Sequence, residues 1–499
     1  MKNLIAAAAA MIAAGTWAEM EPATPESQGV SSEAILRFID AAEKTFDGGT
    51  RGALHGFVIV RHGKTIAEGS WKPFDTLNET HMLYSHSKSF TSSAIGFLAD
   101  EGKIDLDERI VDIFSNEAPA TVSENLAQLR VRDLLTMNVG KRDHLARGGG
   151  DWVREFLGRD FFRKPGTGFK YDSDATYMLA AIVEKKSGEK MMDYLKRKMF
   201  DRIGITKAWT TYSPQGIPCG GWGMNMTTRE LARFGQLYLQ RGQWNGEAVL
   251  SPFWVDLATA RHTWSGWQNV GVKSLGEGSD WEQGYGFQFW RCTCGAYRAD
   301  GAAGQFTVVM PEQDMVVSVN AGLDNMGREL AYIWKHLLPA AKDAPLPENP
   351  AVQAKLRARI AALAIKPLNG CRLAAANPES IDRTFEFKDN HRGFKSVRFE
   401  SQPIGCICTL VTRAGEQRFP AAFGAWAEGS IRIDTEDYEG LGSYIGEHKT
   451  MASCGFDQDG SFRFKAYLPR DTGWLEFTVK DGGLTGEFRA MHGCRLESK

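Results

Sequence analysis

The chain has 499 residues, of which 43% are hydrophobic and 24% are charged, and its formal net charge is −2. This composition excludes a long disordered chain, and the near-neutral charge gives no support for nucleic-acid binding, which normally shows a strong basic excess. At roughly 150 residues per domain, the length predicts about three domains, or one large domain with a smaller one.

The N-terminus has the pattern of a secretory signal peptide. One basic residue, Lys2, is followed by a short run rich in Ala, Ile and Met that reaches small residues near Ala18. The pattern predicts a signal peptide over residues 1–18, with a buried N-terminal helix as the alternative. The run is too short and too rich in Ala for a good membrane anchor. We therefore expect an exported protein, periplasmic or secreted, with no integral membrane anchor.

Predicted elements in chain order describe a mixed α/β unit. Helical spacing begins near Ser31, and a β-hairpin follows at 57–67 with Gly63 in its turn. Further helices are expected at about 85–101, 131–137, 175–186 and 227–241, and strands at 285–290, 305–310 and 315–319. The N-terminal hairpin could join the later strands in one antiparallel sheet flanked by helices.

The last third of the chain reads as a separate β-rich domain. Clustered prolines at 345–350 predict a linker, and a short helix is expected at about 351–363. Residues 383–388, 396–400 and 474–479 have strand character between Gly- and Asp-rich segments. The predicted domains are thus an α/β domain over 19–345 and a smaller β-rich domain over 351–499. The second could wall a cleft, bind a polymer or stabilise the first.

Eight cysteines are present, and export would permit disulfides. Eight cysteines allow 105 pairings, so the connectivity is open. Cys-x-Cys occurs at 292–294 and 406–408 without a CxxC pair or a His-rich tract, and HExxH is absent. We expect structural thiols or disulfides and no metal site.

The sharpest chemical candidate is the run Ser85-His86-Ser87-Lys88. A serine hydroxyl needs a base within hydrogen-bond reach to become a nucleophile, and residues i and i+3 of a helix share a face. Lys88 can take the proton of Ser85 only if its surroundings lower its pKa. The alternative is a helix N-terminus with serines capping it.

The SxxK string alone has little specificity, because a second copy occurs at Ser187 to Lys190. That copy follows an apolar helix and contains Gly188, so it predicts a helix C-cap and a turn. A polar approach followed by a helix with a buried face favours Ser85 as the functional copy.

Two later segments strengthen the hydrolase hypothesis. Tyr171 and Ser173 lie just before a predicted helix, and a tyrosine can relay protons if a nearby ammonium holds its pKa down. Residues 299–306 contain small side chains before an apolar strand, where a backbone N–H can complete an oxyanion hole. Taken separately, these segments could be an aromatic plug with a helix cap and an ordinary strand start.

Other common enzyme patterns are missing from the sequence. No serine has glycine at both −2 and +2, which excludes the nucleophile elbow of α/β-hydrolases. Dinucleotide-binding and P-loop fingerprints are also absent, so the glycines at 148–150 predict a loop and not a phosphate cradle.

In this order and spacing, the three segments resemble the serine hydrolases related to class C β-lactamases, a superfamily with DD-peptidases, family VIII carboxylesterases and nylon-oligomer hydrolases. The resemblance covers about residues 26–342. It implies the β-lactamase/transpeptidase-like fold, a mixed antiparallel sheet flanked by helices. It also rests on the segments at 131–137, 220–224 and 231–237.

By position, the resemblance implies that Ser85 is the acylated nucleophile and Lys88 its proton acceptor. Tyr171 would assist proton transfer, and Ser173 would hold Lys88 or the substrate. The oxyanion site would lie at Gly301 and Ala302, with backbone N–H groups of Ser85 and Ala302 as donors. The resemblance implies no metal or organic cofactor.

Two departures from the family pattern shape the expected substrate. Ala299 stands where these families often carry a Lys or His that binds a substrate carboxylate, a contact worth about 1.5–3 kcal/mol. Arg298 is adjacent, but strand alternation should point it to the other face. Ser173 in place of Asn is closer to the esterase and amidase members. Efficient β-lactam hydrolysis is therefore not expected.

We expect an exported serine hydrolase that cleaves an ester or amide in a small-molecule or short peptide-like substrate. A peptidoglycan DD-peptidase or D-amino-acid amidase is the alternative within the same chemistry, and cell-wall material is then the partner. A non-catalytic cell-wall-binding relative is the alternative from another class. The joint presence of Ser85, Lys88 and Tyr171 argues against it.

Overall fold

The computed structural model describes residues 20–49, 51–145, 149–265, 279–369, 381–433, 446–489 and 493–499. The predicted signal peptide and Cys371 lie outside these ranges. Within them, none of the cysteines forms a disulfide. No helix in these ranges has the length and apolar character that a membrane span requires.

The described chain contains 13 α-helices, together with short 3₁₀ and π turns. The α-helices are α1 Ser32–Thr45, α2 Ser87–Asp100, α3 Ile110–Ile113, α4 Glu124–Gln128, α5 Val131–Leu135, α6 Trp152–Leu157, α7 Ser173–Ser187, α8 Met191–Leu195, α9 Asp201–Ile203, α10 Thr228–Leu239, α11 Pro252–Thr259, α12 Met326–Tyr332 and α13 Pro350–Ala361. The predicted helices near 31–45, 85–101, 131–137, 175–186 and 227–241 are confirmed by α1, α2, α5, α7 and α10.

The strands of the first two-thirds of the chain are β1 Gly52–Arg61, β2 Lys64–Ser70, β3 His81–Met82, β4 Asn225–Met226, β5 Gln243–Trp244, β6 Glu247–Ala248, β7 Trp290–Arg291, β8 Tyr297–Gly301, β9 Gln305–Met310 and β10 Met315–Leu323. Six of them form one antiparallel sheet in the order β2-β1-β10-β9-β8-β7. The predicted joining of the N-terminal hairpin to the later strands is therefore confirmed.

Helices cover both faces of this sheet. On one face, Phe38 of α1 packs against Phe57 of β1 with ring centroids 6.2 Å apart. On the other, Gly235 of α10 lies so close that a Cβ there would be 2.6 Å from Thr307 and Val316 side-chain atoms. The register pairs Phe57 with Val319, whereas Thr307 pairs with Ser318, the residue before Val319. Because successive residues of a strand point to opposite faces, Phe57 and Thr307 lie on opposite faces of the sheet. Apolar side chains from both layers form the first hydrophobic core.

The remaining strands build the β-rich domain that the sequence predicts. They are β11 Thr384–Glu386, β12 Ser396–Gln402, β13 Gly405–Thr412, β14 Gly415–Phe423, β15 Ala427–Ile433, β16 Gly446–Phe456, β17 Phe462–Tyr467, β18 Trp474–Lys480, β19 Gly483–Arg489 and β20 Cys494–Glu497. The ten-stranded sheet curls until its two ends meet, because Lys388 N donates to Glu497 O at 3.0 Å and Lys499 N to Glu386 O at 2.8 Å. A second apolar core fills it.

The curled sheet contacts the α/β domain beside the turn that carries Ser85. Tyr84 and Thr472 join their hydroxyl oxygens by a hydrogen bond of 2.9 Å, and Met82 N donates to Arg470 O at 2.9 Å. Helix α13 packs on α1, where Arg359 forms ion pairs with Asp40 and with a second acidic residue. The second sheet thus begins at Thr384, after the end of α13 at Ala361. Its residues Arg470 and Thr472 contact the first domain.

Candidate active site

Ser85 lies in a 3₁₀ turn, Tyr84–His86, that leads directly into α2. Tyr84 has a φ of +48°, an uncommon conformation for a residue with a side chain. Several contacts hold it: the Ser87 hydroxyl donates to the Tyr84 carbonyl at 2.6 Å, and the Tyr84 phenol bonds Thr472 and Asp471. Ser85 is partly exposed between buried neighbours, so the fold presents its hydroxyl to a ligand.

Lys88 lies one turn further along the same helical face, with 1% of its surface exposed. Its Nζ donates to Ser85 Oγ at 2.9 Å, to Ser173 Oγ at 3.0 Å and to the Gly221 carbonyl at 2.6 Å. The lysine therefore joins the candidate nucleophile to Ser173, the residue that the resemblance assigned to hold it. The Gly221 carbonyl is a contact that the sequence analysis did not identify.

Tyr171 approaches Ser85 from the other side. The Ser85 side chain lies close enough to the Tyr171 phenol to lower the pKa of that phenol. The Lys88 Nζ lies 4.8 Å from the centroid of the Tyr171 ring, and Trp290 stacks on that ring at 5.7 Å. The structure thus brings Ser85, Lys88, Tyr171 and Ser173 together, as the sequence analysis expected.

The sequence analysis considered a Tyr171 whose pKa is held down by a nearby ammonium, but in the structure the pKa of Tyr171 is raised. Burial raises the pKa of the Tyr171 phenol above its ordinary value, and the Asp300 carboxylate raises it further, while the Ser85 side chain opposes them. Desolvation disfavours the phenolate, because a buried charge loses its hydration. Tyr171 is therefore a neutral phenol at pH 7 and can donate a proton.

The tip of the β8–β9 hairpin lies against the Ser85 turn. A Cβ at Gly301 would be 2.0 Å from the Leu83 carbonyl oxygen and 3.1 Å from the His86 nitrogen, so only glycine fits there. Ala302 follows at the tip and is half-buried. This close approach places both predicted oxyanion residues, Gly301 and Ala302, beside the turn of the nucleophile.

The strand before the tip carries an internal ion pair. Arg298 is fully buried, and its Nη2 lies 2.9 Å from Asp300 Oδ2. Both residues share one sheet face, whereas Ala299 pairs with Thr307, whose Oγ1 is 3.0 Å from His86 Nε2 on the other face. The expectation that Arg298 points away from the face of Ala299 is therefore met, and its charge is committed to Asp300.

Burial also shifts two groups next to the site. It raises the pKa of Asp300 to about 6, against the opposing effects of Arg298 and Lys88. It lowers the pKa of His86 to about 3. His86 is therefore neutral at pH 7, and its contact with Thr307 ties the Ser85 turn to the sheet.

A buried charge cluster supports the Tyr171–Ser173 segment. The Lys141 Nζ lies 3.0 Å from Asp174 Oδ2 and 3.5 Å from Asp172 Oδ2, and Asp172 accepts the Asp174 backbone N–H at the start of α7. His144 lies 3.4 Å from Asp174 at the exposed edge. In the described chain, His144, Asp172 and Asp174 also bring metal-ligand atoms within 4.8 Å of one another, but the Lys141 ammonium already lies beside both carboxylates.

The protonation of His144 should add to stability only at lower pH. Hydrogen bonds to Asp172 and Asp174 raise its pKa to about 9. A raised folded-state pKa contributes stability that is complete below the ordinary value near 6.5 and is lost as pH rises through 9. We expect the melting temperature to fall between pH 6.5 and 9.5 by less in His144→Gln than in the wild type. Equal slopes by calorimetry would contradict this assignment.

The second SxxK copy has the structural role that the sequence predicts. Gly188 ends α7 with a φ of +77°, and its N–H donates to the Glu184 carbonyl. The Lys190 Nζ forms an exposed ion pair with Glu184 at 2.9 Å. Ser187 and Lys190 therefore do not form a second catalytic pair.

The sequence matches the family described as Beta-lactamase over residues 38–341. It is 26% identical over 319 residues to a 6-aminohexanoate-dimer hydrolase of Paenarthrobacter ureafaciens, covering 60% of this chain and 79% of that protein. A Bacillus anthracis structure provisionally described as a 6-aminohexanoate-dimer hydrolase superposes with a TM-score of 0.51 at 20% identity, covering 66% of this chain and 89% of that one.

A penicillin-binding protein homologue of Caulobacter crescentus has the same fold, with a TM-score of 0.50 at 16% identity, covering 62% of this chain and 98% of that chain. The sequence match covers more than half of the chain and includes Ser85, Lys88, Tyr171 and Ala302. The protein belongs to the β-lactamase family and is a hydrolase of the β-lactamase fold, similar in sequence to a 6-aminohexanoate-dimer hydrolase and in fold to a penicillin-binding protein homologue.

Proposed function

We propose that this protein cleaves an ester or amide bond through an acyl-enzyme on Ser85. The observation that carries the proposal is the Lys88 Nζ, which lies 2.9 Å from Ser85 Oγ and 3.0 Å from Ser173 Oγ in a buried position. This geometry lets the amine form of Lys88 accept the Ser85 proton as Oγ attacks the carbonyl carbon. Backbone N–H groups of Ser85 and Ala302 would stabilise the oxyanion that forms.

Proton transfer in the second half of the reaction involves Tyr171. Its neutral phenol donates a proton to the leaving group and recovers the proton held by Lys88, so no net proton remains on the site. Water then attacks the acyl-enzyme, its proton passes by way of the Tyr171 phenol to the Lys88 amine, and Lys88 returns that proton to Ser85 Oγ as the acyl–oxygen bond breaks. The position of the Tyr171 phenol beside Ser85 and Lys88 supports this route.

The substrate class is an ester or amide and not an efficiently hydrolysed β-lactam. Ala299 is buried and supplies no cation, and the neighbouring Arg298 is paired with Asp300. A substrate carboxylate placed as in β-lactamases would therefore lack a charge-assisted partner there. The related 6-aminohexanoate-dimer hydrolase supports an amide or ester substrate.

A substrate panel on the purified protein tests the proposal. A fluorophosphonate probe should label one serine, and short p-nitrophenyl esters should be hydrolysed faster than nitrocefin or D-Ala-D-Ala peptides. A preference for D-Ala-D-Ala would assign a DD-peptidase and overturn our interpretation of Ala299. Complete absence of labelling and turnover would favour a non-catalytic cell-wall-binding protein.

Removing the Tyr171 hydroxyl should slow turnover strongly without unfolding the site. We expect Tyr171→Phe to lower kcat by about 10²- to 10⁴-fold, the usual contribution of general acid–base catalysis. The matched control is Tyr177→Phe, which removes a buried phenol hydrogen-bonded to Ser213 at 3.2 Å, away from Ser85. Equal kcat values for the two variants in steady-state ester hydrolysis would exclude the proposed role.

We also propose that residues 1–18 are a signal peptide and that the mature protein is periplasmic or secreted. The basic residue followed by a short apolar run supports this. N-terminal sequencing of the protein from its native cells should begin near residue 19. Recovery of the intact N-terminus from the cytoplasm would contradict the proposal.

A further inference from the structure

A cavity of about 450 Å³ lies between the α/β domain and the curled sheet. The α/β domain lines it with the tip of the β8–β9 hairpin and the end of β10, from Gly322 to Asp324. The curled sheet lines it with the start of β18 and with β19 and β20. The wall residues on that side include Thr472, Trp474, Arg489 and Arg495.

Both sides of this cavity touch the turn that carries Ser85. Ala302 is a wall residue and directly follows Gly301, which lies against the Leu83 carbonyl and the His86 nitrogen. On the other side, the wall residue Thr472 bonds the Tyr84 phenol at 2.9 Å. The cavity therefore adjoins the predicted oxyanion site and is shaped by the C-terminal domain.

If the leaving group lies near Tyr171, the cavity lies on the acyl side of the scissile bond. Tyr171, the proposed proton donor to the leaving group, stacks on Trp290, which pairs with Arg298 early in β8. The cavity begins at Ala302, after the other end of β8. A substrate whose leaving group lies near Tyr171 would therefore extend its acyl chain past Ala302 into the cavity.

The walls combine an apolar surface with excess positive charge on the side of the curled sheet. Trp474 is 7% exposed, and Arg489 and Lys465 lie over its ring at 5.4 and 5.0 Å. In the described part of the chain, the Trp474 indole N–H has no hydrogen-bond acceptor. It is thus a buried donor on a wall residue.

On the curled-sheet wall of the cavity, two guanidinium groups outnumber the one acidic residue. Glu487 forms an ion pair with Arg489 and faces Arg495 across the β19–β20 ladder. Glu487 thus stands against both guanidinium groups, while the Lys465 ammonium behind Trp474 lies 3.9 Å from Glu476. Asp324 is exposed on the opposite wall and is the acidic group that the α/β domain contributes.

We propose that this cavity is an acyl-chain subsite completed by the C-terminal domain, and that it takes an apolar chain ending in a carboxylate. The inference rests on the proposed acyl-enzyme function of Ser85. The chain would lie against Trp474 and Leu323, and its carboxylate would be bound by Arg495 and Arg489. In β-lactamases, a cation at the position of Ala299 on β8 binds the substrate carboxylate. Here the C-terminal domain would supply the cation, at another position in the cleft.

Three p-nitrophenyl esters with six-carbon acyl chains test the subsite: the hexanoate, the hydrogen adipate and the 6-(trimethylammonio)hexanoate. Wild-type kcat/KM, normalised to the fraction labelled by fluorophosphonate, should be highest for the adipate. Arg495→Glu should lower the adipate-to-hexanoate ratio by about tenfold or more, and Arg489→Gln should lower it as well. The exposed Arg418, which pairs with Glu400 on the same domain, provides the matched control Arg418→Glu.

The outcomes separate this inference from the proposed function. Labelling and hexanoate hydrolysis without an adipate preference would overturn the subsite alone. So would a preference for the cationic ester, or an adipate preference that survives both arginine variants. Failure of the wild type to be labelled or to hydrolyse any ester would overturn the proposed function itself.

Discussion

Replacing Ser85 with alanine is expected to abolish fluorophosphonate labelling, and Lys88→Met should reduce the acylation rate by about 10²- to 10⁴-fold. Methionine preserves the length of the buried stem while it removes the group that lies 2.9 Å from Ser85 Oγ. The loss should therefore report proton transfer and not packing. Stopped-flow acylation by a p-nitrophenyl ester, with circular dichroism to check folding, provides the measurement.

The chain offers its own matched control in the second SxxK copy. Ser187→Ala and Lys190→Met change the same residue types at the same spacing, but there the lysine pairs with Glu184 in solvent. These variants should retain wild-type labelling and turnover. If Lys88→Met acylated as fast as Lys190→Met, then Lys88 would not be the base.

Much of the α/β domain follows from local patterns in the sequence. Helix α1 has a serine N-cap, Ser31, whose side chain accepts from Ala34 N, and the β1–β2 hairpin turns at Gly63 with a φ of +72°. Such signals depend on neighbours in the chain, so the sequence reveals them. The run at 285–290 looks equally strand-like, yet only Trp290 belongs to a strand there.

The reason for that exception is tertiary. Gln288 has a φ of +66°, which interrupts an extended chain. Its side-chain amide donates to the Leu134 and Leu135 carbonyls and accepts from Thr176, so it satisfies polar groups of α5 and α7. Contacts between segments more than 100 residues apart decide this conformation, and no local pattern can predict it.

The curled sheet was only partly predicted for a related reason. Its β-rich character was expected, but strands such as β15 and β19 contain glycine and charged residues and show little alternation. Their stability comes from pairing with neighbours, for example Phe488 with Leu475 and Cys494 on either side. Edge-to-edge closure of the sheet then fixes the positions of residues that have weak strand propensity by themselves.

In the candidate site, the sequence singled out side chains that the structure brings together, but not the groups that support them. Ser85, Lys88, Tyr171 and Ser173 are side chains in recognisable strings. By contrast, the Gly221 carbonyl that accepts from Lys88 is a backbone atom, which any residue would provide. The contribution of Thr472 to the Ser85 turn depends on how two domains pack, which local sequence does not encode.

Lys141→Met should destabilise the protein by about 3–5 kcal/mol, because it leaves buried carboxylates without their ammonium partner. The Lys141 and Asp174 side chains are 1% and 0% exposed, so water cannot replace the lost charge. The matched control is Lys185→Met, whose partner Glu117 lies 2.9 Å away in a pair that is 35% and 26% exposed. That variant should cost no more than about 1 kcal/mol.

The double variant Lys141→Met/Asp174→Asn distinguishes charge from packing. Neutralising Asp174 removes one of the two carboxylates that lost the Lys141 ammonium. We therefore expect part of the lost free energy of unfolding, measured by urea denaturation, to return. Because Asp172 precedes Ser173 directly, ester turnover should follow stability in all three variants: loss in Lys141→Met, partial recovery in the double variant and no change in Lys185→Met. If Lys141→Met were as stable as Lys185→Met, Lys141 would not hold the Tyr171–Ser173 segment. The position of Ser173 against Lys88 would then need another cause.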